Sequence, residues 1–281
     1  MKKARDVFLL LILSLLLFTP RAFSLDFSEH ENSVLQEIFR VRLEARRFAS
    51  NPEALEFIKE SRARILSDSA ATKISDEAKI TFENFFAWEE FHFSWEENPD
   101  DAAAWDSIGN QYKDNLSWQS SHPDDARNIW YSLSLFDLAN SCMPKLKFSD
   151  VLKIGLEEKR FYDSRIEANS ENCVVYFNAA LWYSFAPAIG GGSDSKAEKY
   201  FAEAVKKAKN DYEKFFANLY FSQFEFDRGE TALFEELFSA AEKILPQSGF
   251  LDFVRSLNKS GFSYLEYTKN REKVEKALRR K

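Results

Sequence analysis

The chain has 281 residues, a net charge of −7, 45% hydrophobic and 30% charged residues. That balance excludes a disordered chain, and 28 Phe against only 8 Gly and 7 Pro favours helices over a turn-rich β fold. The acidic sign argues against nucleic acid or an anionic membrane surface as partner.

The chain opens on a targeting pattern. Lys2, Lys3 and Arg5 precede an apolar run from Val7 to Phe18, and Ala22 and Ser24 supply small residues for a peptidase. A membrane span needs about 20 apolar residues, so this run reads as a signal peptide (1–24), cleaved after Ser24, with an uncleaved anchor as the alternative. No Cys lies near the cut, so no lipid anchor is expected there. Cleavage removes four basic residues and one acidic residue and takes the charge to −10. The expected location is the periplasm, as a soluble protein. Export also permits a disulfide between Cys142 and Cys173, and two buried thiols are the alternative.

Residues 25–281 read as one helical domain, most regular over 98–246. Val34, Leu35, Ile38, Val41, Ala45 and Phe48 give a first amphipathic helix. Asn51-Pro52-Glu53 carries the signals of a second helix start, with Asn as the cap, and Ser75-Asp76-Glu77 starts a third. The third places Phe82, Phe85, Phe86 and Phe93 on one face and Trp88, Phe91 and Trp95 on another. A helix apolar around most of its girth is either central to a core or one wall of a ligand groove. Asn98-Pro99-Asp100-Asp101 repeats the start pattern before Trp105-x-x-Ile108-Gly109-x-x-Tyr112, the first-helix spacing of a tetratricopeptide repeat, in which Gly allows close helix approach. Asn115 to Ser121 reads as an insertion, after which Pro123-Asp124-Asp125 opens the partner helix with Ala126, Trp130 and Leu133.

Ser149-Asp150 begins a further helix, broken at Asn169 to Asn172. Cys173 to Pro246 then reads as four packed helices. Pro187 and Gly190-Gly191-Gly192 separate the first two, and Ser195-x-x-Glu198 has capping-box spacing. Ala197, Phe201 and Ala204, and later Phe238, Ala241 and Pro246, keep the second-helix spacing of the repeat. Phe250 to Leu257 suits a capping helix, and the basic 269–281 segment suits a solvated, fraying one.

Pro187-x-x-Gly190-Gly191-Gly192, Lys196-Ala197-Glu198-Lys199-Tyr200-Phe201-x-x-Ala204 and Leu233-Phe234-Glu235-Glu236-Leu237 resemble the T-component of tripartite ATP-independent periplasmic (TRAP) transporters over residues 172–246. The resemblance implies a periplasmic all-helical scaffold. Its implied partners are a solute-binding protein, a hydrophobic small molecule and further copies of itself.

Signals for chemistry are sparse. His30, His92 and His122 have no second ligand at helical spacing, so no metal site is expected, and the Gly-rich loop lacks the Lys-Ser/Thr of a P-loop. Acid pairs such as Glu89-Glu90 and Glu96-Glu97 sit on successive helical positions, which point apart. The sequence therefore reads as an all-α, tetratricopeptide-like α-solenoid or helical bundle, non-enzymatic and without cofactor. It is expected to bind a partner protein or hydrophobic ligand on a concave face through Phe86, Trp88, Trp95, Trp105, Trp182 and Tyr183. The alternative is a glycan-active hydrolase or lyase with Glu89 or Glu96 in an aromatic cleft.

Overall fold

The computed structural model describes residues 27–70, 73–122 and 127–279. The expected signal peptide, and the Pro123-Asp124-Asp125-Ala126 start, lie outside these residues. Thirteen α-helices account for nearly all of the described chain, which contains no β-strand.

Caps chosen by the sequence fix most boundaries. α1 (Glu29–Glu44) begins with a capping box in which the Ser28 hydroxyl accepts from the Glu31 N–H and the Glu31 carboxylate accepts from the Ser28 N–H at 2.7 Å. The same carboxylate accepts from Ser75 N–H at 2.7 Å, and so ties the start of α1 to that of α3 (Asp76–Glu97). Burial alone would raise the Glu31 pKa; the hydrogen bonds from Ser75 and Ser28 outweigh it and bring the value down to about 2. α2 (Asn51–Ala70) is capped by Ser50, not by Asn51 as expected: Ser50 Oγ accepts from the Glu53 N–H at 3.4 Å. Likewise Asp101 caps α4 (Ala102–Ser120), accepting from Ala103 and Ala104, while Asn98 closes α3.

The expected insertion at 115–121 is helix. α4 runs through it because Asn115 turns inward, where its side chain exchanges hydrogen bonds of 2.7 and 2.8 Å with Asn84 of α3. Ser134 of α5 (Ile129–Cys142) completes this buried polar latch, accepting from Asn84 at 3.0 Å. Gly109 faces open space, since an added Cβ would meet nothing within 4 Å. The close approach expected there is absent, and Gly109→Ala should raise stability by about 0.5–1 kcal/mol through helix propensity, read as a higher urea midpoint.

After a short 3-10 turn at Met143–Lys145 come α6 (Phe148–Glu167) and α7 (Cys173–Phe185). The Gly loop follows α7, and α8 (Asp194–Lys207) is capped by Ser193, two residues before the expected capping box. α9 (Asp211–Arg228) buries Phe215, Phe216, Leu219, Phe221 and Phe224, and packs against α7, α8, α10 (Thr231–Ile244) and α1. The pairs α2–α3, α4–α5, α7–α8 and α9–α10 are helical hairpins.

The last helices pack back on earlier parts of the chain. α11 (Gly249–Lys259) packs on the 3-10 turn that follows α1 (Ala45–Arg47), where Ser248 Oγ donates to Arg46 O at 2.6 Å. α12 (Tyr264–Lys269) packs on α9 and α11. α13 (Arg271–Leu278) is docked where a solvated, fraying helix was expected. Arg271 donates to the carbonyls of Trp95 and Glu96 at 3.1 and 3.0 Å, satisfying the open C-terminus of α3, and lies 4.5 Å from the Trp95 ring centre. Cys142 and Cys173 are free, buried thiols in two different core clusters. No helix among the described residues is long and apolar enough to cross a membrane.

Candidate functional site: an apolar chamber beside a buried ion cluster

α3 divides the interior as its two aromatic faces predict. Phe82, Phe85, Phe86 and Phe93 join the main core, whereas Phe91, with Trp88 and Trp95, packs in a smaller cluster with Trp105 and Ile108. At the junction of α1, α3, α5, α6, α7 and α9 the helices leave a chamber of about 760 Å³. Phe39, Phe85, Trp88, Leu133, Val174, Phe177 and Leu181 contribute apolar walls. At its outer edge α6 presents Phe148, Leu152 and Leu156, spaced by four along one face and exposed, Phe148 to 82%. Exposed Pro187 and Gly190 of the Gly loop line the same chamber. The third glycine of that loop is required by close packing: a Cβ on Gly192 would overlap the Ala186 carbonyl.

Two of the six expected binding residues meet here. Trp88 lines the chamber and stacks on His92, and Trp182 lines it while donating from Nε1 to Gly155 O at 2.9 Å, which hangs α6 on α7. The other four do not line it. Phe86 is fully buried in the core. Tyr183 is buried too, its hydroxyl donating to Asp163 at 2.6 Å. Trp95 lies beneath Arg271, and Trp105 donates to Pro99 O at 2.9 Å with Lys145 over its ring.

A cluster of charged groups, of which the sequence singles out only Glu89, lies behind the chamber's inner end, where Arg42 and Asp137 reach the wall. Glu89 accepts from Arg42 Nε at 2.6 Å and from Arg46 Nη1 at 2.8 Å, and all three residues are buried. Arg42 lies over Phe85, Trp88 and Tyr212, and Arg46 over Phe93, Phe216 and Phe250. Burial opposes ionisation of Glu89, but Arg46 and Arg42 overcome it and hold the pKa below the usual carboxylate range. Burial, reinforced by Arg46, depresses His92 to about 3, so its ring is neutral. Arg42 Nη2 also reaches Asp137 at 3.7 Å. The periodicity does contain this signal: Arg42 and Arg46 continue the buried register of Leu35, Ile38 and Phe39, and Glu89 lies four residues from both Phe85 and Phe93.

Beyond Asp137 the chamber wall carries Glu158, which is 4% exposed. Its Oε1 accepts from Asn140 Nδ2 at 2.7 Å, and no cation pairs with it among the described residues. Burial pushes Asp137 up to about 6 against the pull of Arg42, and Glu158 up to about 8 against the Asn140 hydrogen bond. A carboxyl raised on folding stabilises fully below its unfolded pKa, and that contribution is lost as pH rises through the folded value. Glu158→Gln should therefore keep its Tm between about pH 5 and 8, where the parent chain loses stability. The hydroxyls of Tyr162, Tyr212 and Tyr220, which also line the chamber, make no hydrogen bond to protein among the described residues.

Glu89 and Glu96, the acids of the glycan-cleaving alternative, are absent from the chamber wall. Glu89 is locked between arginines, and Glu96 accepts from Tyr267 at 3.3 Å. No group of three metal-ligating side chains assembles among the described residues. Comparison with protein-family models, curated proteins and solved structures finds no match to this chain. The described residues thus form an all-α protein of packed helical hairpins with an aromatic chamber, open at one edge, among them.

Proposed function

We propose that this chain is an exported helical scaffold that holds a hydrophobic small molecule in the chamber and exchanges it with a partner protein, as an accessory component of a TRAP-type transporter. The chamber carries this reading. Its volume falls within the roughly 300–1,000 Å³ of small-molecule sites, with mainly apolar walls and a few convergent polar groups. The exposed stripe Phe148, Leu152 and Leu156 at the chamber's edge, with fully exposed Ile189 on the adjoining loop, supports a docking site for the partner. The resemblance of residues 172–246 to the T-component supports a periplasmic solute-binding protein as that partner. Binding without catalysis suits the site, because Glu89 is committed to Arg42 and Arg46.

Protein purified from its own cells and extracted with organic solvent should release an apolar molecule in stoichiometric amount. A photo-cross-linking residue at Leu152 should capture a solute-binding protein. An empty extract would remove the ligand half of the reading, and cross-links lacking any solute-binding protein would remove the transporter half.

A further inference from the structure

We propose that the molecule held in the chamber is an amphiphile with a protonated amine head, seated between Glu158 and Asp137 with its chain directed toward Phe148 and Leu152. This rests on the reading of the chamber as a ligand site. It follows from the charges along the wall.

The two arginines of the inner end are already matched. Glu89 takes Arg42 and Arg46, and Arg42 also faces Asp137 at 3.7 Å, which leaves two positive and two negative groups in balance. Besides Arg42 the chamber's lining holds one further cation, exposed Lys269 of α12; beside Glu158 and Asp137 a carboxylate or phosphate head would face two carboxyls. Glu158 is the group left over. It is more than nine-tenths buried, lines the chamber and holds one neutral amide on one oxygen, while its second oxygen has no protein donor among the described residues. A buried carboxyl without a counter-ion is costly as an anion, and a cationic head entering the chamber supplies the missing charge. The ring of Tyr162, one turn along α6 from Glu158 and also lining the chamber, adds attraction for a cation and none for an anion.

The groups around Glu158 are Asp137 and Asn140 from α5, Tyr162 from its own helix and Tyr112 from α4, with Arg42 of α1 behind Asp137. Of these, Asp137 makes ionisation of Glu158 harder. The amine is therefore expected to displace the proton of Glu158 to solvent on binding.

Isothermal titration with dodecylamine, dodecanol and dodecanoate, below their micelle concentrations at pH 7, tests the inference. The amine should bind at least tenfold more tightly than the alcohol, and the acid more weakly than either. The amine's heat should vary with the ionisation enthalpy of the buffer, showing proton release. Glu158→Gln should weaken the amine about tenfold or more, leave the alcohol unchanged and abolish the buffer dependence, with an unaltered circular dichroism spectrum confirming the fold. Equal affinity for amine and alcohol, tighter binding of dodecanoate, or undiminished amine binding by Glu158→Gln would overturn the amine head while leaving the chamber as an apolar site. If none of the three binds, the chamber reading itself fails, and this inference with it.

Discussion

Glu89→Ala is expected to cost about 3–5 kcal/mol of stability, because it leaves Arg42 and Arg46 buried without their shared carboxylate. At roughly 2–4 °C per kcal/mol for a chain of this size, thermal unfolding should move down by about 6–20 °C. Arg46 has little in reserve, since its Nε is already without a partner among the described residues. A pH series separates the lost charge from lost packing. The folded pKa of Glu89 lies below its unfolded value, so its contribution is present above about pH 4.5 and disappears as pH falls through the folded pKa. Glu89→Gln, which keeps the shape, should therefore trail the parent chain at pH 7 and converge with it in acid. Replacing the set together, as Arg42→Met, Arg46→Met and Glu89→Leu, should recover much of the loss, because apolar side chains in the same volume carry no desolvation cost.

Gly249→Ala carries the second large expectation. A Cβ at this position would strike the Phe48 carbonyl oxygen and sit 2.6 Å from Ala49 Cα and 2.9 Å from Ala49 N. All three atoms are backbone, so no side-chain rotation relieves the overlap. Overpacking of this kind costs typically about 1–3 kcal/mol, and the rigid neighbours place the expected loss at the upper end. The effect is also specific in place, because α11 begins here against the turn that follows α1. Arg47 Nη1 donates to Pro246 O at 3.1 Å and Ser248 Oγ to Arg46 O across the same seam. Hydrogen exchange should accelerate in α11, whereas the α4–α5 hairpin, remote from the seam, should keep its protection. Unchanged exchange along α11 would show that its packing does not depend on this contact.

The helices were legible in the sequence because their cause is local. Apolar spacing places α3, α4, α7 and α9 close to their observed positions, with Ser75, Asp101, Asn172 and Asn210 as their caps, and the two faces of α3 separate into the two observed clusters. The inward turn of Asn115 was not legible. A polar residue reads as surface until its partner, here Asn84 on another helix, is known. For the same reason Arg42, Arg46, Asp137 and Glu158 escaped a reading that sought aromatic residues for the site. Their roles come from pairings between α1 and α3 and between α5 and α6. The return of the last helices onto earlier ones was hidden as well, because it rests on contacts between residues about 200 positions apart, such as Ser248 with Arg46. Aromatic composition alone could not separate Trp88 and Trp182, which reach the chamber, from Phe86 and Tyr183, which support its surroundings.

The central claim is that the chamber is a ligand compartment, and filling it tests that claim most directly. Asn178 lines the chamber from α7 and makes no side-chain hydrogen bond among the described residues, so Asn178→Trp adds bulk there without breaking a bond. Leu116→Trp serves as the control, because Leu116 is exposed and borders a separate groove between α4 and α6. Fluorescence titration with pyrene, a neutral hydrocarbon, should show saturable binding by the parent chain and by Leu116→Trp, and a loss of at least tenfold in Asn178→Trp at unchanged Tm. Pyrene binding that persists undiminished in Asn178→Trp would contradict the account.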